Sequence, residues 1–133
     1  MLYSNQEAFD LVVEKLVAQG EPSMQGKRCV YLDSKGNRCA AGHLVPDELI
    51  TKLATIGCGW HIICSDVPEA KEIADQKFIV ELQEAHDAPA LSPNNYHKWR
   101  TGWVSNMRAV ATRHGIDRTK LDELATEEWQ NNS

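Results

Sequence analysis

The stretch CVYLDSKGNRCAAGHLVPDE, residues 29–48, decides the predicted fold, because it places a turn between two strand-like segments and then starts a helix. The segment CVYLD (29–33) is rich in β-favouring side chains, and RCAAG (38–42) follows a short turn that contains glycine. We therefore predict a β-hairpin with Cys39 in its second strand. Beyond the hairpin, Pro46 stands where the first turn of a helix begins, and two carboxylates follow it to meet the positive end of the helix dipole.

Helical spacing of apolar residues dominates the chain outside this stretch. Near the N-terminus, Ser4 and Glu7 have the spacing of a capping box, and the helix that they start ends at Gly20. The same signals predict further helices at 46–55, in two pieces within 65–89, from the N-cap Ser92 to Gly115, and from Asp117 onward.

Two segments have weaker patterns than the rest. WHIIC (60–64) follows a bend marked by two glycines and is predicted as a short third strand, with a packed loop as the alternative. EEWQNNS (127–133) is predicted as a frayed terminus. The sequence therefore predicts one domain over residues 1–133, of the α+β class and mostly helical, with about five helices and one β-hairpin.

Composition and charge exclude several classes of function. The net charge is −5 and the isoelectric point is near 5.5, so direct DNA binding, which needs Lys and Arg clustered against phosphates, is not expected. The apolar runs are too short for a membrane-spanning helix. The N-terminal residues lack the pattern of a secretory signal, and four cysteines without such a signal predict reduced thiols in the cytoplasm.

Cysteine and histidine recur at short spacings in two places, which raises zinc as a cofactor. Cys39 and His43 form one pair, and Cys58, His61 and Cys64 form a second group. Four ligands of these types would complete a tetrahedral zinc site. The spacings match no usual zinc knuckle, and cysteine packs equally well as a small apolar residue. No cofactor is therefore predicted, and zinc stays open as the alternative.

A thiol nucleophile is the second candidate site. Cys39 with His86 and Asp87 would supply a nucleophile, a base and a group that orients the base. In a strand, Cys39 would lack a helix N-terminus to lower its pKa, so no catalytic residue is predicted. Glu81, Glu84 and Asp87 share one helix face, which is interpreted as a solvated face rather than as an acid–base pair or a cation site.

Aromatic side chains supply the predicted binding residues. Tyr96, Trp99 and Trp103 lie three or four residues apart and therefore share one helix face. Such a stripe either packs into a core, closes a homodimer, or forms a platform on which a nucleotide base or a partner protein stacks. Trp60 and His61 complete the candidate binding set.

Three segments together carry a resemblance to a known group of proteins. They are QEAFDLVVEKLVAQGEPSM (6–24), the stretch 29–48, and LQEAHD (82–87). In this combination the chain resembles small uncharacterised proteins encoded by tailed bacteriophages and prophages. The matching residues are Cys39, Ala40, Gly42, Leu44, Val45, Pro46 and Asp47, followed by Leu82, Gln83, His86 and Asp87. A weaker match continues around Trp99 and VATRHGI (110–116), whereas CGWHIIC (58–64) departs from the pattern.

The resemblance implies an origin in a phage rather than an activity. With no catalytic signature in a small acidic chain, we predict a non-enzymatic accessory protein in the host bacterial cytoplasm. It would bind and inhibit or redirect a host protein, a defence component or a small nucleotide. A small thiol- or His-dependent hydrolase or transferase is the first alternative, and a zinc-stabilised interaction module is the second.

Overall fold

A computed structural model describes residues 1–56, 59–91 and 96–132, and it confirms a mostly helical α+β fold with one β-hairpin. Over these residues there are eight α-helices, more than the five or so expected, because the chain breaks into several short helices. The α-helices are α1 (Asn5–Gln19), α2 (Ala40–Leu44), α3 (Asp47–Ile56), α4 (Trp60–Asp66), α5 (Gln76–Asp87), α6 (Tyr96–His114), α7 (Thr119–Leu124) and α8 (Glu127–Asn131). Two 3₁₀ helices span Pro68–Glu72 and Ala88–Leu91, and the hairpin strands are β1 (Met24–Gln25) and β2 (Arg28–Cys29).

Helix α1 forms as its capping signals predict. The Glu7 amide donates to Ser4 Oγ at 3.1 Å, and the Ser4 amide donates to the Glu7 carboxylate at 3.0 Å. Gly20 ends the helix with φ +76°, and its N–H donates to the Leu16 carbonyl at 2.8 Å. These contacts involve only neighbours in sequence, which is why the sequence predicts both ends of this helix correctly.

The β-hairpin lies earlier in the chain than predicted. Met24 pairs with Cys29 and Gln25 with Arg28 in an antiparallel register. Where the sequence predicts paired strands at 29–33 and 38–42, the structure has one isolated bridge, between Leu32 and Arg38. The predicted strand position of Cys39 is therefore wrong, since this residue is the N-cap of α2.

The Asp33 carboxylate explains why no longer ladder forms. Its Oδ1 accepts from the backbone amides of Lys35 and Asn37, both at 2.9 Å. Its Oδ2 accepts from the Met24 amide and from the Asn37 side chain, both at 3.2 Å. Backbone donors that a hairpin would pair with carbonyls are bound here by a side chain, which is how Asp competes with regular secondary structure.

The predicted strand at WHIIC (60–64) is also wrong, because this segment is the helix α4. The amides of Ile62 and Ile63 donate to the Gly59 carbonyl at 3.0 and 3.1 Å, which closes the first helical turn. Trp60, Ile63 and Cys64 are buried on one face, the spacing of a packed helix. Burial of that face outweighs the β preference of the two isoleucines.

Two members of the aromatic stripe of α6, Trp99 and Trp103, lie in the core rather than on a binding platform. Trp99 and Trp103 are 1% and 0% exposed, and their rings stack at 5.7 Å with an angle of 7°. Trp129 of α8 meets Trp103 edge to face at 5.8 Å. These indoles bury large apolar areas, so the expectation that Trp99 and Trp103 bind a partner or a nucleotide base is wrong.

The C-terminal segment is packed and not frayed, contrary to the prediction for residues 127–133 over the part that the structure describes. The indole N–H of Trp129 donates to the Val17 carbonyl at 3.1 Å. The Arg100 guanidinium lies over the Trp129 ring at 5.3 Å and donates to the Gly20 carbonyl at 2.7 Å. Arg100 therefore ties α8 to the end of α1.

None of the described helices is both long and apolar enough to cross a bilayer. The longest is α6, of 19 residues, and it alternates charged side chains with its buried tryptophans. Residues 92–95, which include the predicted N-cap Ser92, lie outside the described residues. Its far end is as predicted, with Gly115 at φ +62°.

Candidate functional site

Cys29, His86 and Asp87 come together in space, although 29 and 86 are far apart in sequence. The Cys29 sulfur, a His86 ring nitrogen and an Asp87 carboxylate oxygen all lie within 4.8 Å of one another. Across residues 1–56, 59–91 and 96–132, no other three Cys, His, Asp or Glu side chains form such a group. We call these three residues the Cys29 cluster.

Two structural elements bring the Cys29 cluster together. Strand β2 carries Cys29, and the last turn of α5 carries His86 and Asp87. Helix α5 starts at the N-cap Asp75, whose carboxylate accepts from the Phe78 amide at 3.0 Å. Its buried face ends at His86, which is 0% exposed, while the next residue reaches the surface. The helical period of α5 thus places the His86 side chain in the core and the Asp87 side chain at the surface.

The hydrogen bonds of His86 fix its tautomer. The Ser23 amide donates to His86 Nε2 at 3.1 Å, so that nitrogen carries a lone pair and no proton. The ring proton is therefore on Nδ1, which donates to Asp87 Oδ1 at 2.8 Å. Because both nitrogens are engaged, neither can take a proton from a thiol in this arrangement.

Gln83 connects the Cys29 cluster to α2. Its side-chain amide donates to Asp87 Oδ1 at 2.9 Å, and its carbonyl oxygen accepts from the Ala41 amide at 2.9 Å. On the other side, the Trp99 indole N–H donates to the His86 carbonyl at 2.9 Å. The network holds the end of α5 against both the α2 start and the tryptophan core.

The thiols at this site are held protonated. Burial, with the adjacent Asp87 carboxylate, raises the pKa of the Cys29 thiol far above its ordinary value. The Cys29 thiol donates to the Met24 thioether at 3.5 Å. Burial also raises the pKa of Cys39 to about 12, even though its sulfur accepts from the Gly42 amide at 3.4 Å. Neither thiol is therefore poised as a nucleophile at neutral pH.

The structure places a different cysteine in the nucleophilic site that the sequence offered as an alternative. His86 and Asp87 are adjacent and hydrogen-bonded, as that site would need, but their sulfur partner is Cys29 rather than Cys39. The sequence offered a weak signal for Cys29, since it is a further cysteine in the same stretch as Cys39. Ser23 and Gln83, which fix the orientation of the cluster, carried no chemical signal by themselves.

A small cavity opens beside the Cys29 cluster. Its volume is about 180 Å³, and its walls include Cys29, Tyr31, Trp60, Gln83 and Asp87. This volume is below the ~300 Å³ at which pockets for drug-sized ligands begin. The cavity therefore suits water, an ion or a few atoms of a partner's side chain.

The zinc ligands suggested by sequence do not assemble where the structure describes them. Cys58 lies outside the described residues. Of the others, Cys39 and Cys64 are buried and His61 is exposed, and no three ligand atoms of this set, with His43, come within 4.8 Å of one another. Burial raises the pKa of Cys64, as expected for a packed thiol.

The remaining candidate binding residues are scattered. Trp60 is buried and forms part of the cavity wall, whereas His61 on the same helix faces solvent. Tyr96 is half-buried, with the Lys35 ammonium 6.0 Å from its ring centre.

On the acidic face of α5, Glu81 is held by Arg113 at 2.8 Å and by His114, so it is an ion-paired surface residue.

Because His43 is half-buried as a neutral ring, we predict that the protein loses stability in acid. Its Nε2–H donates to Gln19 Oε1 at 2.8 Å, and burial, followed by the nearby Arg38 charge, lowers the His43 pKa from 6.5 to about 4. The unfolded chain binds this proton at a higher pH than the folded chain does. The His43 contribution to stability is therefore fully present above pH 6.5 and is lost as the pH falls towards 4. We expect the free energy of unfolding to be about 2 kcal/mol lower at pH 5 than at pH 8.

The His43 contribution is isolated by urea titrations of variants at several pH values. His43→Gln should flatten the slope of stability between pH 6.5 and 4, while His61→Gln, at an exposed ring, should leave it unchanged. An unaltered slope in His43→Gln would show that another group titrates in this range.

Comparison of the chain with protein-family models, with curated proteins and with solved structures finds no match.

Proposed function

We propose that this chain is a small non-enzymatic binding protein, encoded by a phage, that occludes a host protein or defence component in the bacterial cytoplasm. The observation that carries the proposal is the state of the Cys29 cluster. Its imidazole has a lone pair only on Nε2, and the Ser23 amide occupies it. Chemistry of the Cys–His type needs a free base beside a readily ionised thiol, and neither is present here.

The surface that we assign to the partner is the acidic C-terminal surface, residues 117–128. It carries five carboxylates against two cationic side chains, within a chain of net charge −5. Glu123, Glu127 and Glu128 are exposed and form no ion pair with any described residue. Leu124 is 40% exposed among them. Exposed glutamates without ion pairs around an apolar side chain favour a basic partner surface and speed its association.

A protein partner is favoured over a small nucleotide. The two tryptophans that would stack on a base, Trp99 and Trp103, lie in the core. The cavity beside the Cys29 cluster is too small for a nucleotide. The acidic surface would also repel phosphates.

The test is capture of a partner from bacterial lysate by the immobilised chain, followed by binding kinetics with the captured protein. We expect the triple variant Glu123→Gln, Glu127→Gln and Glu128→Gln to associate about tenfold more slowly than the unaltered chain. We also expect association of the unaltered chain to slow as salt rises, because exposed charges are screened.

The matched control removes the same charge elsewhere. Glu48, Glu69 and Glu72 are exposed on other elements, so their change to Gln alters the net charge equally and should preserve association. Circular dichroism of both variants checks that the helices persist. Failure to capture any specific protein, or equal association by the two triple variants, would refute the proposal.

A further inference from the structure

We propose that the Cys29 cluster is a binding site for a thiophilic divalent cation of the Zn²⁺ class, with Cys29 Sγ, His86 Nδ1 and an Asp87 carboxylate oxygen as its ligands. Nothing in this site depends on the acidic C-terminal surface. Both proposals involve the Cys29 cluster, but the metal ligands and the partner surface are different residues, so the two are tested by different measurements.

The geometry is close to what such an ion requires. Zinc binds sulfur at about 2.3 Å and nitrogen or oxygen at about 2.0–2.2 Å, so tetrahedral ligands lie roughly 3.5 Å apart. The Cys29 sulfur, a ring nitrogen of His86 and a carboxylate oxygen of Asp87 lie within 4.8 Å of one another, and His86 Nδ1 is 2.8 Å from Asp87 Oδ1. Cys29 ends a two-residue strand and is half-buried, whereas His86 is fixed in the core. The Cys29 side chain is therefore the ligand that would move to bring its sulfur to the ion.

The three ligand types suit this class of ion. A thiolate, an imidazole and a carboxylate select zinc or cobalt over magnesium or calcium, which prefer oxygen alone. With a thiolate and a carboxylate bound, a divalent cation gives a site of zero net charge. A neutral site is compatible with the complete burial of His86.

The cavity supplies the fourth coordination position. It is bounded by two of the ligands, Cys29 and Asp87, together with Gln83 and Tyr31. Its volume of about 180 Å³ accommodates a water or a partner's donor atom. With three protein ligands, the ion would take a water or a donor atom of the partner as its fourth ligand.

Metal binding requires a defined movement of protons. The Cys29 thiol gives its proton to solvent and binds as the thiolate. The ring proton leaves Nδ1, which binds the ion, and Nε2 takes up a proton from solvent, so that His86 stays neutral and one proton is released in total. Nε2–H and the Ser23 amide are then both donors, and the contact between them at 3.1 Å must open. The loss of this hydrogen bond and of the one from Nδ1–H to Asp87 is small beside the free energy of zinc binding.

Titration of the intact reduced chain with Co²⁺ tests the site, because cobalt bound to a thiolate absorbs light by sulfur-to-metal charge transfer. We expect a 1:1 complex with this absorption and with the visible bands of tetrahedral cobalt. Cys29→Ala should remove the charge-transfer absorption and weaken binding by more than ~100-fold, since outer-shell partners alone contribute 10–100-fold. Cys64→Ala removes a buried thiol outside the cluster and should leave the spectrum unchanged.

A second measurement follows Ser23 directly. In amide NMR spectra, addition of Zn²⁺ should shift the Ser23 resonance and speed its hydrogen exchange, while the Asp33-bound amides of Lys35 and Asn37 stay constant. Absence of charge-transfer absorption in the unaltered chain, or the same absorption in Cys29→Ala, would overturn the assignment. An unshifted Ser23 amide at saturating Zn²⁺ would overturn it as well.

Discussion

Replacing Trp99 with alanine is expected to lower the free energy of unfolding by about 3–5 kcal/mol, the largest single effect that we predict. The side chain is 1% exposed and stacks on Trp103 at 5.7 Å, so alanine leaves a cavity within the aromatic core. The change also removes the indole N–H donor of the His86 carbonyl at 2.9 Å. Urea unfolding followed by circular dichroism measures the loss.

Trp99→Phe is the matched control for this prediction. Phenylalanine keeps an aromatic ring in the core and deletes the N–H, so its loss should be clearly smaller than that of alanine. If Trp99→Ala were as stable as the unaltered chain, the ring would not be in the core. The aromatic stripe would then return as a candidate binding surface.

Replacing Gly42 with alanine is expected to lower the free energy of unfolding by about 3 kcal/mol. A Cβ at this position would lie 2.5 Å from the Tyr31 carbonyl oxygen and 3.1 Å from Arg38 Cβ. The nearest atom belongs to the backbone, so relief requires α2 to move away from residue 31. This clash exceeds the gain of roughly 1 kcal/mol that alanine brings to a helix.

Gly59→Ala provides the comparison for Gly42→Ala. Its added Cβ would approach only the His61 ring, at 3.2 Å, and that ring ends an exposed side chain that can rotate away. We therefore expect a change below ~1 kcal/mol at Gly59. Equal losses at the two glycines would show that close approach to Tyr31 is not what requires glycine at 42.

The fold was predictable where short-range signals agree. The Ser4 and Glu7 capping box, the apolar face of α1 and the stop at Gly20 all act within a few residues. The hairpin and α4 were misassigned because contacts outside those segments decide them. Asp33 binds amides on both sides of its loop, and the WHIIC segment is helical because one face of it is buried.

The candidate site was only half predictable. His86 and Asp87 are neighbours in the sequence, and both were singled out with a cysteine. The choice of Cys29 over Cys39 depends on how β2 packs beside the end of α5, which no spacing encodes. The tautomer of His86 depends on its hydrogen bond with the Ser23 amide. Since every residue except proline has such an amide, the sequence does not show which one reaches His86.

The sequence by itself determined that this chain is mostly helical and acidic, because propensity, capping and charge are properties of local residue order. The tertiary structure alone decided that the tryptophan stripe is core, that Cys39 caps a helix and that Cys29 joins His86 and Asp87. The physical reason is that burial and hydrogen-bond partners are set by residues distant in sequence, and these decide whether a side chain serves packing or chemistry.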